Sequence, residues 1–356
     1  MTTSDRPAPN PAVDALDREC MARAIAAAST VRCTTSPNPW VGAVLRTVDG
    51  AMYEGATQPP GGDHAEVRAL AAAGEEARGA TLYVTLEPCS HTGRTGPCAE
   101  AIVEAGVARV VVGVEDPDPQ VAGAGLAVLR DAGVEVTVGV QADQVTTQLQ
   151  PYLTHRRTGR PWVVLKLAAS LDGGTAAPNG TSQWITSPAA RADGHRLRAE
   201  SDAILVGAGT VRRDDPSLTV RDYRPPGLAD GRSVDPRRVV LGTVPEGAKV
   251  HPCTEASGDL GDLLDRLGGD GVVQLLVEGG GSVAGSFHRA GLVDRYVIYL
   301  APALFGGADA KGLFAGSGAW DIADVWRGRF VSVDRVGVDL RVEMAPAPPA
   351  EDDEEA

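Results

Sequence analysis

The chain has 356 residues, room for two domains of about 100–200 residues each, and 43% of them are hydrophobic, enough for each half to bury a core of its own. Its formal net charge is −14. Binding of DNA or RNA rests on Lys and Arg neutralising phosphates, so an acidic chain without a basic stripe argues against a nucleic-acid partner while leaving room for a small phosphorylated substrate.

No apolar run approaches the roughly 20 residues that cross a bilayer, so no membrane role is expected, and the first twenty residues lack the basic and apolar regions of a signal peptide. Five cysteines without scaffold-like spacing point to cytoplasmic thiols, some with a metal role. Residues 1–11, rich in Pro, Ser and Thr, are expected to be disordered. A helix follows over Val13–Ala28, with Leu16, Cys20, Ala24 and Ala27 on one face. PNPWVGAVLRT and AMYEGAT read as two strands joined by a turn at Asp49-Gly50. Then helices over His64–Ala73, Cys98–Ala105 and Gly125–Ala132 alternate with strands over Thr81–Leu86, Val107–Val114 and Val134–Val140, the pattern of an α/β layered domain spanning residues 12–147.

The polar, basic stretch 148–160 (QLQPYLTHRRTGR) is the candidate linker or lid. A second α/β domain is expected over 161–345. Its strands are WVVLKLA, SDAILVG, RRVVLG, VVQLLVE, Arg295–Ala301 and Phe330–Met344, and its helices lie near 189–199, 260–267 and 283–290. Residues 346–356 form an acidic Pro-rich tail, read as solvated.

The chemistry of the first domain lies in His64-Ala65-Glu66 and in Glu87-Pro88-Cys89 with Cys98 nine residues on. One imidazole and two thiolates give zinc three protein ligands and leave its fourth position open for a water that the metal acidifies. Nucleobase deaminases pair such a His/Cys/Cys site with a Glu that is not a ligand and moves protons, within H-x-E…P-C-x-x-C. His64, Cys89 and Cys98 are therefore the expected metal ligands and Glu66 the expected catalytic acid–base. Helix N-termini at His64 and Cys98 favour thiolate. Cys20, Cys33 and Cys253 have no such partners and read as core or surface thiols. Eight residues, SHTGRTGP, separate the two ligand cysteines instead of two, and this spacer carries His91, a second conceivable ligand, and Arg94.

LEPCSHTGRTGPC, with PNPWVGAV upstream, HAEVRAL between and DPDPQVAGAGLAVL downstream, closely resembles the deaminase half of the bifunctional riboflavin-biosynthesis deaminase–reductases. The chain departs from the family's more frequent pattern at Gly96, at Asp118 (DPNP is more common) and at Thr57, where many members have His. The resemblance implies a cytidine-deaminase-like α/β/α domain in which Asn38, His91, Arg94 and Asp116 line the pyrimidine and ribose-phosphate pocket. A turn role for Asn38 and for Asp116 stays open beside that.

In the second half no GxGxxG follows the first strand, so a Rossmann fingerprint is not supported. LVEGGGSVAGSF offers instead a Gly-rich turn into a helix N-terminus, a general cradle for pyrophosphate but also an ordinary tight turn. VVLKLAASLDGGTA, TSQWITS, LRAESDAILVGAGTVRRDDPSLTVR and VEGGGS, in this order, resemble the reductase half of the same family, whose fold is like dihydrofolate reductase.

By that resemblance Ala168, Trp184, Thr210, Asp214 and the turn of Gly280, Gly281, Ser282, Val283, Ala284, Gly285 and Ser286 bind NADPH. Ser182, Arg198, Leu218, Arg221 and Glu278 hold the phosphoribosyl substrate, and Lys166, on the strand before SLDG, joins them as a substrate-contact candidate on its chemistry. Arg198 and Arg221 suit bidentate phosphate binding or a surface salt bridge. Lys166 suits protonation of the ribose oxygen or a strand-edge charge, and Trp184 suits a nicotinamide face or the core. Gly174 stands where the family commonly has Lys or Arg.

The activity implied is zinc-dependent deamination of a 2,5-diamino-pyrimidinone ribosyl phosphate, then NADPH-dependent reduction of ribosyl to ribityl. Its rivals are a paralogue acting on a related heterocycle or with a single live domain, a non-catalytic zinc module, and a nucleic-acid-editing deaminase. An apolar β-edge in the second domain is the candidate for homo-oligomer formation.

Overall fold

A computed structural model describes residues 15–90, 96–119, 121–228 and 232–347. The expected disordered stretch 1–11 lies outside the described residues, as does the acidic tail from residue 348 on. The chain divides into two compact units at Thr158 and Gly159, with a short stretch from Pro225 grouping with the first. No helix among the described residues is long and apolar enough to cross a membrane.

The first unit runs α1 (Ala15–Ser29), β1 (Gly42–Arg46), β2 (Met52–Ala56), α2 (Ala65–Ala73), β3 (Thr81–Leu86), α3 (Cys98–Glu104), β4 (Arg109–Val114), α4 (Ala124–Asp131), β5 (Glu135–Val138) and α5 (Ala142–Thr158). Its sheet has the order β2-β1-β3-β4-β5. β1 is antiparallel to both β2 and β3, and β3, β4 and β5 are parallel. α1 buries Asp17, Cys20, Met21, Ala24 and Ala28. Asp17 is tolerated inside because Arg109 grips both its oxygens, at 2.9 and 2.8 Å, and Tyr83 donates a third bond at 3.0 Å. α2 lies so close to the sheet that a Cβ on Gly55 would stand 2.1 Å from the carbonyl oxygen of Ala65. Glycine at 55 thus lets the helix carrying the HxE motif settle on β2.

The stretch 148–160, expected as a linker or lid, is instead largely the C-terminal part of α5, with Pro151 inside the helix. Proline removes one helical hydrogen bond and disfavours such a position. Burial of Val145, Leu149, Tyr152 and Leu153 against the first unit outweighs that cost.

The second unit runs β6 (Trp162–Ser170), β7 (Gly174–Ala176), α6 (Pro188–Ala199), β8 (Ala203–Gly207), α7 (Ala208–Asp214), β9 (Arg237–Leu241), β10 (Thr254–Ala256), α8 (Leu260–Gly269), β11 (Gln274–Val277), α9 (Gly281–Arg289), β12 (Arg295–Ala301), β13 (Lys311–Gly312), β14 (Gly328–Val336) and β15 (Asp339–Pro346). Its main sheet has the order β10-β9-β8-β11-β6-β12-β15-β14. The first six strands are parallel, and the β14–β15 hairpin closes one side antiparallel. Successive residues of β6 feed opposite faces. Val163 and Leu165 join Leu275, Ala284 and Phe287 on one side, while Trp162 and Val164 join Ile204, Val240 and Tyr299 on the other. A sheet covered on both faces accounts for the near-continuous apolar runs of these strands.

Candidate active sites

His64 is the N-cap residue of α2 and Cys98 the first residue of α3, while Cys89 lies just beyond β3. Their ligand atoms lie within 4.8 Å of one another. His64 Nδ1 stands 3.2 Å from Cys98 Sγ and 3.6 Å from Cys89 Sγ. Tetrahedral zinc with ordinary bond lengths sets such nitrogen–sulfur separations at roughly 3.6 Å, so one imidazole and two sulfurs at this spacing fit the metal. The Cys89 thiol is held below the ordinary range, chiefly by a hydrogen bond from Cys98, whose own thiol is pushed up by the same bond. Without a cation two adjacent thiols share a proton, and a divalent ion lets both ionise.

Glu66 lies in the first turn of α2 and is only 4% exposed. Burial pushes its carboxyl up to about 7.

A cavity of about 420 Å³ opens on this cluster, lined by His64, Glu66 and Cys89 and also by Asn38 and Asp116. The two readings of Asn38 are both realised, because its N–H closes a turn to Thr35 O at 2.9 Å while the residue lines the cavity. Asp116 likewise orders its turn, accepting from the Asp118 N–H at 2.9 Å, and presents its other oxygen to Tyr152 OH at 3.1 Å. His91 and Arg94 lie outside the described residues. Thr57 lines the cavity, with its hydroxyl bonded to the Val41 backbone.

Sequence reasoning missed three participants. Glu87, buried beside Pro88, accepts four backbone N–H bonds, from Asp116, Gly123, Gly125 and Leu126, at 3.0 to 3.3 Å. It thereby fixes the loop that carries Asp116 and Asp118. Tyr152 and Arg156 reach the same cavity from α5. Their spacing of four residues was the available signal, masked by the reading of that stretch as a linker.

In the second unit Lys166, Arg198 and Glu278 come together. Arg198 donates Nε–H and Nη2–H to the two Glu278 oxygens at 2.8 and 2.9 Å, and Nη1–H to Thr219 O at 3.1 Å. Lys166 Nζ is 3.8 Å from the same carboxylate. Burial pushes the Glu278 carboxyl up, but Lys166 and Arg198 outweigh it and hold it down at about 2. The guanidinium fork expected to clamp phosphate is thus engaged by Glu278, and Arg198 is placed to position that carboxylate.

Arg221 is exposed and donates to Ser217 and Thr219 hydroxyls at 2.6 and 3.2 Å. Its backbone N–H goes to His195 Nδ1 at 3.3 Å, a buried imidazole that the sequence did not single out. Leu218, expected at the substrate, buries its side chain in the core at 3% exposure with φ of 54°, so only its backbone is available to a ligand.

The Gly-rich turn leads into α9 with Gly280 as N-cap and no side-chain cap, leaving the first N–H groups for an anion. A Cβ on Gly280 would lie 3.7 Å from Thr210 Oγ1, so Thr210 on α7 borders this turn. Ser282, Val283 and Ser286 line a cavity of about 330 Å³ with Leu241, Gly242 and Ser257, which the sequence did not reveal. Ala284 packs into the core instead. Gly281 and Gly285 lie on α9 with them. Asp214, exposed, ends α7, and Ala168 is half-buried on β6. Ser182 and Trp184 lie in the loop before α6. Trp184 is not core: it is 69% exposed, with the Arg191 guanidinium 4.6 Å from its ring centroid. A Cβ on Gly174 would fall 2.2 Å from the Phe305 ring, so that ring fills the space a side chain at 174 would take.

Comparison with known proteins agrees with both halves. Residues 14–114 match the cytidine and deoxycytidylate deaminase zinc-binding region and residues 161–342 the RibD C-terminal domain. The riboflavin biosynthesis protein RibD of Escherichia coli is 41% identical, with 93% of this chain aligned to 100% of that protein. The RibD of Mycobacterium tuberculosis is 43% identical over 92% of this chain and 96% of its own. Among solved structures, Acinetobacter baumannii RibD superposes with a TM-score of 0.87 at 38% identity, over 93% of this chain and 99% of that one. A Thermotoga maritima diaminohydroxyphosphoribosylaminopyrimidine deaminase/5-amino-6-(5-phosphoribosylamino)uracil reductase does so at 0.82 and 34%, with the same coverage. The expected architecture, a zinc-deaminase-like domain followed by a dihydrofolate-reductase-like one, is the one found, and with both matches in this order and the relatives aligned over nearly their whole length the chain belongs to the RibD family of riboflavin biosynthesis proteins.

Proposed function

We propose that the chain performs two successive steps of riboflavin synthesis: hydrolytic deamination of 2,5-diamino-6-ribosylamino-4(3H)-pyrimidinone 5′-phosphate, then NADPH-dependent reduction of its ribosyl group to ribityl. The observation that carries this is the three-donor cluster of His64, Cys89 and Cys98 beside a buried Glu66, with His64, Glu66 and Cys89 lining one cavity, on a chain that matches RibD relatives over more than nine-tenths of its length.

In the first unit His64, Cys89 and Cys98 would hold zinc, which when bound would supply Lewis acidity for the hydrolytic step. Glu66 takes a proton from the attacking water and returns one to the departing amine, so that ammonia leaves. Asn38 and Asp116 orient the ring, and the ribose phosphate is assigned to His91 and Arg94 by the family resemblance alone.

In the second unit Ala168, Trp184, Thr210, Asp214, Gly280 and the Ser282, Val283 and Ser286 face of α9 would hold NADPH, which when bound would supply hydride for C1′ of the opened ribose. Lys166 gives a proton to the ribose oxygen, and Glu278, held by Arg198, orients that ammonium. Ser182, the Leu218 backbone and Arg221 hold the phosphoribosyl group.

Reduced thiols and NADPH suit a cytoplasmic enzyme. Phe330 and Val333, 69% and 56% exposed on the outer strand β14, suit pairing with a second copy.

The test is direct: zinc-loaded protein given this pyrimidine should release ammonia and then consume NADPH in equal amount. Release of ammonia from a different heterocycle alone would overturn the substrate assignment.

A further inference from the structure

Among the described residues lining the deaminase cavity, four are carboxylates, Glu66, Glu87, Asp116 and Asp118, and one is a lysine or arginine, Arg156. A phosphorylated substrate entering such a wall meets repulsion unless a cation offsets it. Arg156 is built in rather than dangling. The Tyr152 ring lies one turn earlier on α5, 5.0 Å from the guanidinium, and the Tyr152 hydroxyl is tied to Asp116. Arg156 Nε faces Asp118 Oδ2 at 3.7 Å, too long for a hydrogen bond. That Nε is buried and has no hydrogen-bond partner. Arg156 nevertheless lines the cavity with 30% of its side chain exposed, so an incoming anion would meet the guanidinium on its side away from the enclosed Nε.

We propose that Arg156 is a specificity-determining residue of the deaminase, supplying a cation that recognises the phosphate of the pyrimidine nucleotide, with Asp118 as the residue that positions it. This rests on the deaminase reading above and adds a determinant on α5 to it.

The experiment measures ammonia release from the phosphorylated pyrimidine and from its dephosphorylated nucleoside, using the full zinc-loaded protein. Zinc content and melting temperature are checked for each variant. Arg156→Gln is expected to lower the preference for the phosphorylated compound, as the ratio of kcat/KM values, about tenfold or more, mostly through KM. Arg156→Lys should recover a good part of that loss. Inorganic phosphate should inhibit the wild type competitively and Arg156→Gln more weakly. A preference unchanged within about twofold, or a Lys variant no better than Gln, overturns the proposal and leaves Arg156 a packing residue. If the wild type releases ammonia from neither compound, the deaminase reading itself fails. The arginine is then judged on binding of the phosphorylated pyrimidine, which must weaken in Arg156→Gln for the proposal to stand.

Discussion

Arg198 grips Glu278 by two parallel N–H···O bonds of 2.8 and 2.9 Å, in a site where Lys166 shares the same carboxylate. Removing one partner of a buried ion pair leaves its counter-charges uncompensated, at about 3 kcal/mol or more. Glu278→Gln should therefore lower the melting temperature of the reductase unit at pH 7.

The pH dependence has a definite sign. The folded carboxyl titrates near 2 against an ordinary 4.5. Its stabilisation is complete above pH 4.5 and is lost as pH falls from there towards 2. The melting-temperature gap between wild type and Glu278→Gln should thus be largest at neutral pH and shrink below pH 4.5. A gap that stayed constant from pH 7 to 3 would contradict the ion pair's role.

At the deaminase centre, holding metal and moving protons fall to different residues. His64→Ala and Cys98→Ser should lose zinc and ammonia release together. Glu66→Gln should keep zinc yet lower the deamination rate by roughly a hundredfold to ten-thousandfold. In both kinds of variant NADPH consumption on the already deaminated pyrimidine should survive. Metal analysis with the two half-assays run separately distinguishes these outcomes.

Phe305 and Gly174 occupy one space. Gly174→Lys should destabilise the reductase unit by about 1–3 kcal/mol through overpacking. The double variant Gly174→Lys with Phe305→Ala should recover most of that loss, which thermal unfolding of the two variants would read. Equal stabilities for the single and double variants would show that the ring moves aside freely.

If β14 is where two copies meet, Phe330→Glu should convert a dimer to a monomer, and sedimentation of the two proteins decides it. A wild type that sediments as a monomer would remove this interface.

The alternation of apolar strands with short helices was legible because strands such as β3, β4, β8 and β11 are short runs rich in Val, Leu and Ile, while α2 stops at Gly74 and α6 starts at Pro188. The metal cluster was legible for a different reason: zinc chemistry demands His and Cys within particular local motifs, and those motifs survive in the linear order. α5 was not legible, because Pro151 and a run of polar residues argue locally against helix, and only burial of Val145, Leu149, Tyr152 and Leu153 reverses that. The pairing of Arg198 with Glu278, eighty residues apart, was hidden as well, although both had been singled out. Residue type announces that a guanidinium will bind an anion, whereas the fold decides which one.

The helical continuity of α5 bears on how the two activities can be taken apart. A deaminase half ending at residue 147 would stop partway along that helix, discarding Tyr152 and Arg156 and with them part of its own cavity wall. Separately expressed halves should be divided after Thr158. An inactive fragment cut earlier would report a missing wall, with no bearing on whether the zinc chemistry needs its neighbour.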